Sequence, residues 1–561
     1  MLIAVVPGES GGWRLRVLDE EGRPAGPVES VPELSAAVAD RERAQASRWL
    51  WSSTAEIYPP LLRAGVRVAR CHDAELTEAL LLGCAGRWGE PRSVAAAWAR
   101  ARGLPVPEDP APRPAAPPGD RQGALFDATP PPPAPAGFDP LAGLIEVYRL
   151  QRAAVAGAPA GRFRLLVAAE SAGALVAAEM GHTGLPWRAD IHHALLLDLL
   201  GEPSVLGGPP KRLAELSARI AEAFGVKGLH PERPAEVVRA FARAGVQVPN
   251  SRSWVLRRVD HPAVPLLLEF KELYRIWTAH GWAWCDAWVR DGRFRPEYVP
   301  AGVVSGRWAT RGGGALQIPK VVRRAVVADR GWRFVVADAG QLEPRVLAAV
   351  SGDARFAAAG AAGDLYAALA ADAFNGDRAR AKLALLGAMY GQTGGAAVPA
   401  LAALRGSYPT AFEYVESAAR AGEGGGLVSS WLGRTCPPTS ASWHDPVTLE
   451  GPPPEESAGG RSAAARARGR FTRNFVIQAT AAEWALTLLA ALRRELAPTP
   501  AELVFFQHDE VIVHCPAELA GAVSEAVRAA GEEARRLLFG ATPVRFPLGV
   551  SSVECYADAV H

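Results

Sequence analysis

The sequence predicts an α+β protein of several domains, and three observations carry that expectation. The chain of 561 residues is 49% hydrophobic, enough for several packed cores rather than one. Prolines crowd between about Leu104 and Pro140, including Pro130 to Pro133, and divide an amino-terminal α/β pattern from a long helical one. Beyond the helical stretch, short apolar strand-like segments end in acidic residues, Asp338 and Asp509, with helix-like segments between them.

Along the chain, IAVV, then WRLRVLD, then an Ala- and Leu-rich pattern through ELTEALLLG predict a small α/β domain over residues 1–103. Residues 104–140 predict an extended, solvated linker, because so proline-rich a stretch cannot build a packed core. From 141 to 300, runs such as LAELSARIAEAF and LLLEFKELYRIW predict helices. Within 301–561, WRFVVAD (332–338) reads as a buried strand after the turn DRG. QLEPRVLAAV reads as a helix that tolerates Pro344 in its first turn. Residues 378–391 predict another helix. A Gly- and Pro-rich insertion over 438–465 runs into a basic stretch with Arg466, Arg468, Arg470 and Arg473. A long helix is expected from Arg473 to Leu496, before the strand-turn-strand LVFFQHDEVIVHC (503–515).

Lys plus Arg number 61 and Asp plus Glu 59, a formal charge of +2. That balance neither demands nor excludes a polyanionic partner, since a local positive channel suffices. Six cysteines without a C-x-x-C pair argue for reduced thiols, mostly in the core of a cytosolic protein, over a disulfide framework or a zinc site. The opening MLIAVVPGESGG is apolar for only six residues and suits a first β-strand better than a signal peptide. No uninterrupted apolar run approaches ~18 residues, so no membrane span is expected.

The chemistry centres on the two strand-end aspartates. A carboxylate just after an apolar strand is costly to bury unless a cation neutralises it. A hairpin turn that sets Asp509 and Glu510 beside the end of the Asp338 strand would present carboxylates to divalent cations, and two such ions can activate a hydroxyl and stabilise charge on a phosphate. Each aspartate alone is equally served by a structural role, Asp338 capping the next helix and Asp509 closing a hairpin.

In their order, these segments resemble the family A DNA polymerases, the group of bacterial DNA polymerase I. DAGQLEPR (338–345) is similar to that family's first acidic motif, usually close to DYSQIELR. The resemblance implies that Asp338 is a metal ligand, that Ala339 contributes its backbone carbonyl, and that Gln341 and Glu343 neighbour the incoming nucleotide. Glu343 would be the gate that excludes a ribose 2′-hydroxyl, and Arg345 a supporting residue. RARAKLALLGAMYG (378–391) resembles the nucleotide-binding fingers helix. It implies Arg378 and Lys382, at i and i+4, on the triphosphate, Lys382 counting with the catalytic groups. It also implies Tyr390 beside the nascent base pair and Leu386 where the family usually has Phe or Tyr. QHDEVIV (507–513) is similar to the second acidic turn, usually VHDE. Asp509 would be the second metal ligand, Glu510 a weak ligand or pocket organiser, and His508 a contact to the primer strand.

SGRWATRGGGALQIPK (305–320) resembles the segment before the palm, with Arg307 and Gln317 expected near the duplex. Arg470, Asn474 and Gln478 resemble later primer-template contacts that test minor-groove geometry. FKELYRIW resembles the thumb start, with Lys271 and Arg275 on phosphates. The amino-terminal part is similar, more weakly, to a proofreading exonuclease, especially over RVARCHDAELTEALLLG (67–83). A working proofreader needs an Asp-x-Glu on an early strand, whereas IAVVPGE supplies only Glu9, with Asp73 and Glu75 further on.

The resemblance therefore implies a right-hand fold of palm, fingers and thumb behind a ribonuclease H-like, degenerate exonuclease domain. It implies two Mg²⁺ ions, with Mn²⁺ as a substitute, and primer-template DNA and deoxynucleoside triphosphates as partners. The activity expected is that of a DNA-directed DNA polymerase in repair or gap filling, as a cytoplasmic, bacterial monomer with no membrane association. The competing readings are a bifunctional 3′-5′ exonuclease/polymerase and an inactive DNA-binding scaffold, the latter favoured by the departures at Ala339, Pro344 and Leu386.

Overall fold

The computed structural model describes the chain except residues 9–10, 112–132, 159–160, 205–206, 312–313, 315–317, 392–396, 440–462 and 561. Glu9, Gln317, most of the proline-rich stretch and most of the 438–465 insertion therefore lie outside the described residues.

The first strand, β1 (Leu2–Pro7), is apolar throughout because both of its faces are covered. It runs antiparallel to β2 (Trp13–Leu18), which pairs antiparallel with β3 (Pro24–Val31). After α1 (Leu34–Ala44), β4 (Arg48–Trp51) joins β1 in parallel. After α2 (Thr54–Arg63), β5 (Arg70–Asp73) joins β4 in parallel, for a sheet order β3-β2-β1-β4-β5. Ile3 and Val5 pack with Trp49, Trp51 and Tyr58, while Leu2, Ala4 and Val6 face the other way. Helices α3 (Ala74–Cys84) and α4 (Val94–Ala101) follow. Beyond the linker, α5 (Pro140–Ala156) returns to this domain and lays Leu141, Leu144, Ile145 and Tyr148 on the face of Leu2, Ala4 and Val6. Its apolar stripe thus covers a sheet face that would otherwise meet water. Helix α6 (Phe163–Thr183) lies between the two halves of the molecule: Leu175 joins the first domain, whereas Leu166, Val176 and Met180 join the main core.

A helical region follows. Strand β6 (Leu185–Pro186) precedes α7 (Ala189–Leu200), α8 (Lys211–Ala223), α9 (Pro234–Arg243), the single turn α10 (Ser253–Leu256), α11 (Ala263–His280) and α12 (Trp282–Trp288). Leu213, Leu216 and Ile220 of α8 recur at helical spacing and pack with Leu267 and Phe270 of α11. The short strand β8 (Arg293–Phe294) pairs with both β6 and β7 (Val289–Arg290), and β9 (Glu297–Val299) pairs with β10 (Ala309–Arg311).

The carboxy-terminal half is built on an antiparallel sheet. Strand β11 (Trp332–Ala339) leads into α13 (Leu342–Val350), α14 (Ala354–Gly360), α15 (Leu365–Ala373), α16 (Arg378–Tyr390), α17 (Ala397–Ser407) and α18 (Pro409–Glu423). Helix α19 (Ala463–Leu496) then precedes β12 (Glu502–Gln507), β13 (Glu510–Pro516), α20 (Ala520–Phe539) and β14 (Leu548–Val553). The strand order is β12-β13-β11-β14, so the two acidic segments are neighbours. Helix α19 begins ten residues before the expected Arg473, because Ala- and Arg-rich sequence propagates a helix well. It is long and apolar enough to cross a membrane, but 89% of its most apolar window is buried within the fold.

The first domain is latched to this half through α6. Glu179 accepts hydrogen bonds from Tyr58 Oη (2.5 Å) and from Arg493 of α19 (2.7 and 2.9 Å), and Arg493 also reaches the Val68 and Ala69 carbonyls.

Candidate active site

Pairing of β11 with β13 sets Asp338 opposite Glu510, beside the turn His508–Asp509. His508 has φ 57°, the left-handed conformation that so tight a turn requires. The Ala339 N–H donates to the Asp509 carbonyl (3.1 Å), which clamps the strand end to the turn. Asp509 is half-buried, and its carboxyl is pushed up to about 7, first by loss of hydration and then by the charge of Asp338. Two such carboxylates and the adjacent backbone carbonyl of Ala339 are hard oxygen donors that suit a divalent cation. Mg²⁺ in particular takes one or two protein carboxylates and fills its shell with water and phosphate oxygens. Among the described residues no group of three or more His, Cys, Asp or Glu side chains is arranged for a metal. Glu510 is buried and accepts a hydrogen bond from the buried Tyr556 hydroxyl, whose ring lies 4.3 Å from the Arg323 guanidinium.

Glu343, in the first turn of α13, is held from two sides. Arg307 donates to one carboxylate oxygen, and Tyr390 Oη, at the end of α16, donates to the other (2.5 Å). The carboxyl is thereby fixed between Arg307 and the end of α16. Along α16, Arg378 and Lys382 are exposed, Leu386 and Tyr390 half-buried, so the four share one graded face. Both cations stand over the buried ring of Tyr366, the Arg378 guanidinium at 5.6 Å and the Lys382 ammonium at 6.0 Å from its centroid.

Arg345 is 1% exposed and donates to the carbonyls of Gly340, Gly360, Ala362, Gly363 and Arg545, so it organises the loops beneath the site without facing it. Pro344 sits at the third position of α13, where a missing N–H is harmless.

Helix α19 packs against α16. Arg470 packs over Gly391, the left-handed residue (φ 70°) that ends α16; a Cβ there would lie 2.9 Å from Arg470 Cγ. Arg473, from the basic stretch, is buried and donates to the Ala388 carbonyl (2.9 Å) and Glu416 (2.6 Å). Asn474 and Gln478 line a small cavity with Ser305, Phe471 and Phe475, where Asn474 Oδ1 and Ser305 Oγ have no partner among the described residues. On α11, Lys271 turns its ammonium to Ser251 Oγ (3.4 Å) and Arg275 is exposed.

The structure thus gathers Asp338, Ala339, Asp509, Glu510, Gln341, Glu343, Arg307 and Tyr390 around one strand end. Asp364, Tyr366 and Tyr556 belong to the same surroundings and carry no motif that announces them; Asp364 reads in sequence only as a helix cap before LYAALA.

A family model described as DNA polymerase family A matches residues 244–552. The chain belongs to DNA polymerase family A. The matched span holds every described candidate residue from Lys271 to Glu510. This family A chain is 38% identical over 117 residues to DNA polymerase I of Chloroflexus aurantiacus, covering 18% of the chain and 12% of that protein. It is 27% identical over 319 residues to the thermostable DNA polymerase I of Thermus filiformis, covering 52% of the chain and 35% of the relative. It therefore spans about a third of the Thermus protein's length. Among solved structures, the POL domain of Pol1 from M. smegmatis, in complex with DNA primer-template and dNTP, is similar with a TM-score of 0.68 and 16% identity. The alignment covers 100% of this chain and 96% of that one. The likeness shows the fold, a right-hand arrangement of palm, fingers and thumb.

Proposed function

We propose that this chain is a DNA-directed DNA polymerase that adds deoxynucleoside 5′-triphosphates to the 3′-hydroxyl of a primer annealed to template. The observation that carries the reading is the convergence of Asp338 and Asp509 on adjacent strand ends, where burial and mutual repulsion raise the Asp509 carboxyl. Asp338, Asp509 and the Ala339 carbonyl would hold two Mg²⁺ ions, or Mn²⁺ in their place. When bound, such ions supply the positive charge that favours an attacking alkoxide and steadies the phosphate in flight.

The remaining roles belong to side chains. Arg378 and Lys382 bind the triphosphate, one through a fork and one as a mobile charge. Glu343, fixed by Arg307 and Tyr390, closes the space a ribose 2′-hydroxyl needs. Gln341 and Leu386 border the incoming nucleotide, and Glu510 braces the turn through Tyr556. Arg307, Gln317, Arg470, Asn474, Gln478 and His508 face the duplex, and Lys271 and Arg275 meet its phosphates from the thumb. Asn474 Oδ1, without a partner among the described residues, fits an acceptor awaiting a ligand's donor rather than a settled helix surface.

The first domain is read as a structural, exonuclease-like remnant of ribonuclease H-like topology. Every described β1 side chain from Leu2 to Val6 is apolar and buried, which leaves no carboxylate on the strand where a proofreader needs one. Asp73 is engaged as a helix cap, accepting from Leu76 N (2.9 Å) and Thr54 N (2.7 Å). The domains then read as remnant, linker, helical connection with thumb, and palm with fingers. The enzyme acts as a cytoplasmic monomer in repair or gap filling.

Primer extension with Mg²⁺ and all four deoxynucleotides tests the reading. Extension by the wild type, lost in Asp338→Ala and in Asp509→Ala, is expected; no extension by a folded, DNA-binding wild type overturns it.

A further inference from the structure

Asp364 is the residue at which three parts of the site meet. Its Oδ2 accepts from Arg378 Nε (2.8 Å), and its Oδ1 accepts from Gln341 Nε2 (2.8 Å) and from the Ala367 N–H (3.1 Å) at the start of α15. Only the Nε edge of the guanidinium is used. Among the described residues, no hydrogen bond takes the terminal nitrogens of Arg378, which share the Tyr366 ring with Lys382. The side chains of Arg378 and Asp364 are 54% and 40% exposed, so an anion from solvent can reach the arginine while the carboxylate holds it.

On its other side the contact continues into the strand end. Gln341 has φ 59°, a left-handed conformation that a non-glycine residue keeps only when its surroundings hold it. Here the side-chain amide is fixed by the Leu365 N–H (2.9 Å) and Arg345 (3.4 Å) on its oxygen and by Asp364 on its nitrogen. Ala339 and Asp338 lie immediately before Gly340 and Gln341 in the chain.

We propose that Asp364 is a positioning residue for nucleotide binding, one that aims the Arg378 fork at the phosphates and ties that aim, through Gln341, to the Asp338 strand end. The proposal rests on the reading of Arg378 as a phosphate-binding group. Arginine loses much rotamer freedom when it grips a ligand, and a partner that fixes the fork beforehand removes part of that loss. The carboxylate also repels a triphosphate, a cost that its pairing with the Arg378 guanidinium offsets. An asparagine cannot replace it: one oxygen and one amide cannot accept from both Arg378 and Gln341.

The test is single-nucleotide incorporation by the full chain, comparing wild type, D364N, R378A and the double variant. Asn keeps the helix cap, so D364N is expected to fold with an unchanged melting temperature. The expected result is that D364N raises KM for the deoxynucleotide about fivefold, the weight of a half-exposed ion pair. Its kcat is expected to stay within about twofold, and the KM effect to vanish in the R378A background. An unchanged KM in D364N, while R378A raises it, overturns this proposal and leaves the polymerase reading standing. A lower KM makes Asp364 a competitor of the phosphates and overturns it as well, as does a KM increase undiminished in the double variant. An R378A variant with wild-type KM overturns the phosphate role itself and the proposal with it.

Discussion

Asp73 and Asp509 each end or follow a buried strand, yet the chain compensates them in different ways. Asp73, 2% exposed, accepts backbone N–H groups from the first turns of two helices, α3 and α2. Asp509 lies against the like charge of Asp338 in a turn between two strands. Burial pushes the Asp73 carboxyl up as well, but the fixed donors of Leu76 and Thr54 pull it back from within the chain. Two carboxylates that raise each other's cost of ionisation are relieved by a cation, so the second arrangement waits for a ligand and the first does not.

The largest effect expected from this contrast is on catalysis. Asp338→Ala or Asp509→Ala should lower primer extension by about a thousandfold or more, since each removes a group acting on the developing charge. Asp73→Ala should leave the rate per folded molecule unchanged. A comparable loss in all three would erase the distinction between the regions.

The pH dependence of stability sharpens it. An aspartate held at about 7 in the folded chain keeps a proton that the unfolded chain releases near its ordinary value of about 4. Without metal, stability should therefore fall as pH rises from about 4 to about 7. Glu75, pushed up to about 8 by burial and then by Asp73 and Glu56, adds a fall of the same sign that extends to about 8. Mg²⁺ should flatten the Asp509 part alone. Urea midpoints across this range should show a Mg²⁺-sensitive slope in the wild type and none in Asp509→Asn. A Mg²⁺ response persisting undiminished in that variant would mean that the raised Asp509 carboxyl is not what the ion relieves.

Asp73→Ala itself should cost about 1–2 kcal/mol, because it uncaps α3 and frees the first N–H of α2. Urea unfolding measures it, and a loss near zero would mean that water replaces the carboxylate there.

Much of this contrast was legible in the sequence, for reasons that differ by residue. Strand β11 and the hairpin of β12 and β13 announced themselves because apolar runs of strand length ended at acidic turns. The helix over 378–391 was legible as a helix, and its face of Arg378 and Lys382 followed from their i, i+4 spacing. The return of α5 to the first sheet was not, since its apolar stripe fits either a helical region or a sheet face. Nor were Asp364, Tyr366 and Tyr556, whose partners are distant in sequence. Tyr556 meets Glu510 across 46 residues, and no local pattern encodes such a contact. The early start of α19 was missed because Gly- and Pro-rich sequence precedes it and obscured the Ala- and Arg-rich first turns.

The smallest effect concerns Glu343 in its proposed role as sugar gate. At Asp73 the partners include the backbone N–H groups of Leu76 and Thr54, which side-chain truncation leaves in place; at Glu343 they are the side chains of Arg307 and Tyr390. The geometry of the gate is therefore adjustable in a way the cap is not. Tyr390→Phe deletes one hydrogen bond to the carboxylate and leaves the Arg307 contact, so Glu343 gains freedom to swing aside without leaving the site. Deoxynucleotide incorporation should stay within about twofold, while selectivity against ribonucleotides should fall about fivefold, the weight of one hydrogen bond to a charged group in a partly exposed site. Competing incorporation of matched deoxy- and ribonucleotides measures the ratio. Unchanged selectivity would mean that Arg307 alone fixes the gate, and that the tyrosine contact joins palm to fingers without shaping the sugar pocket.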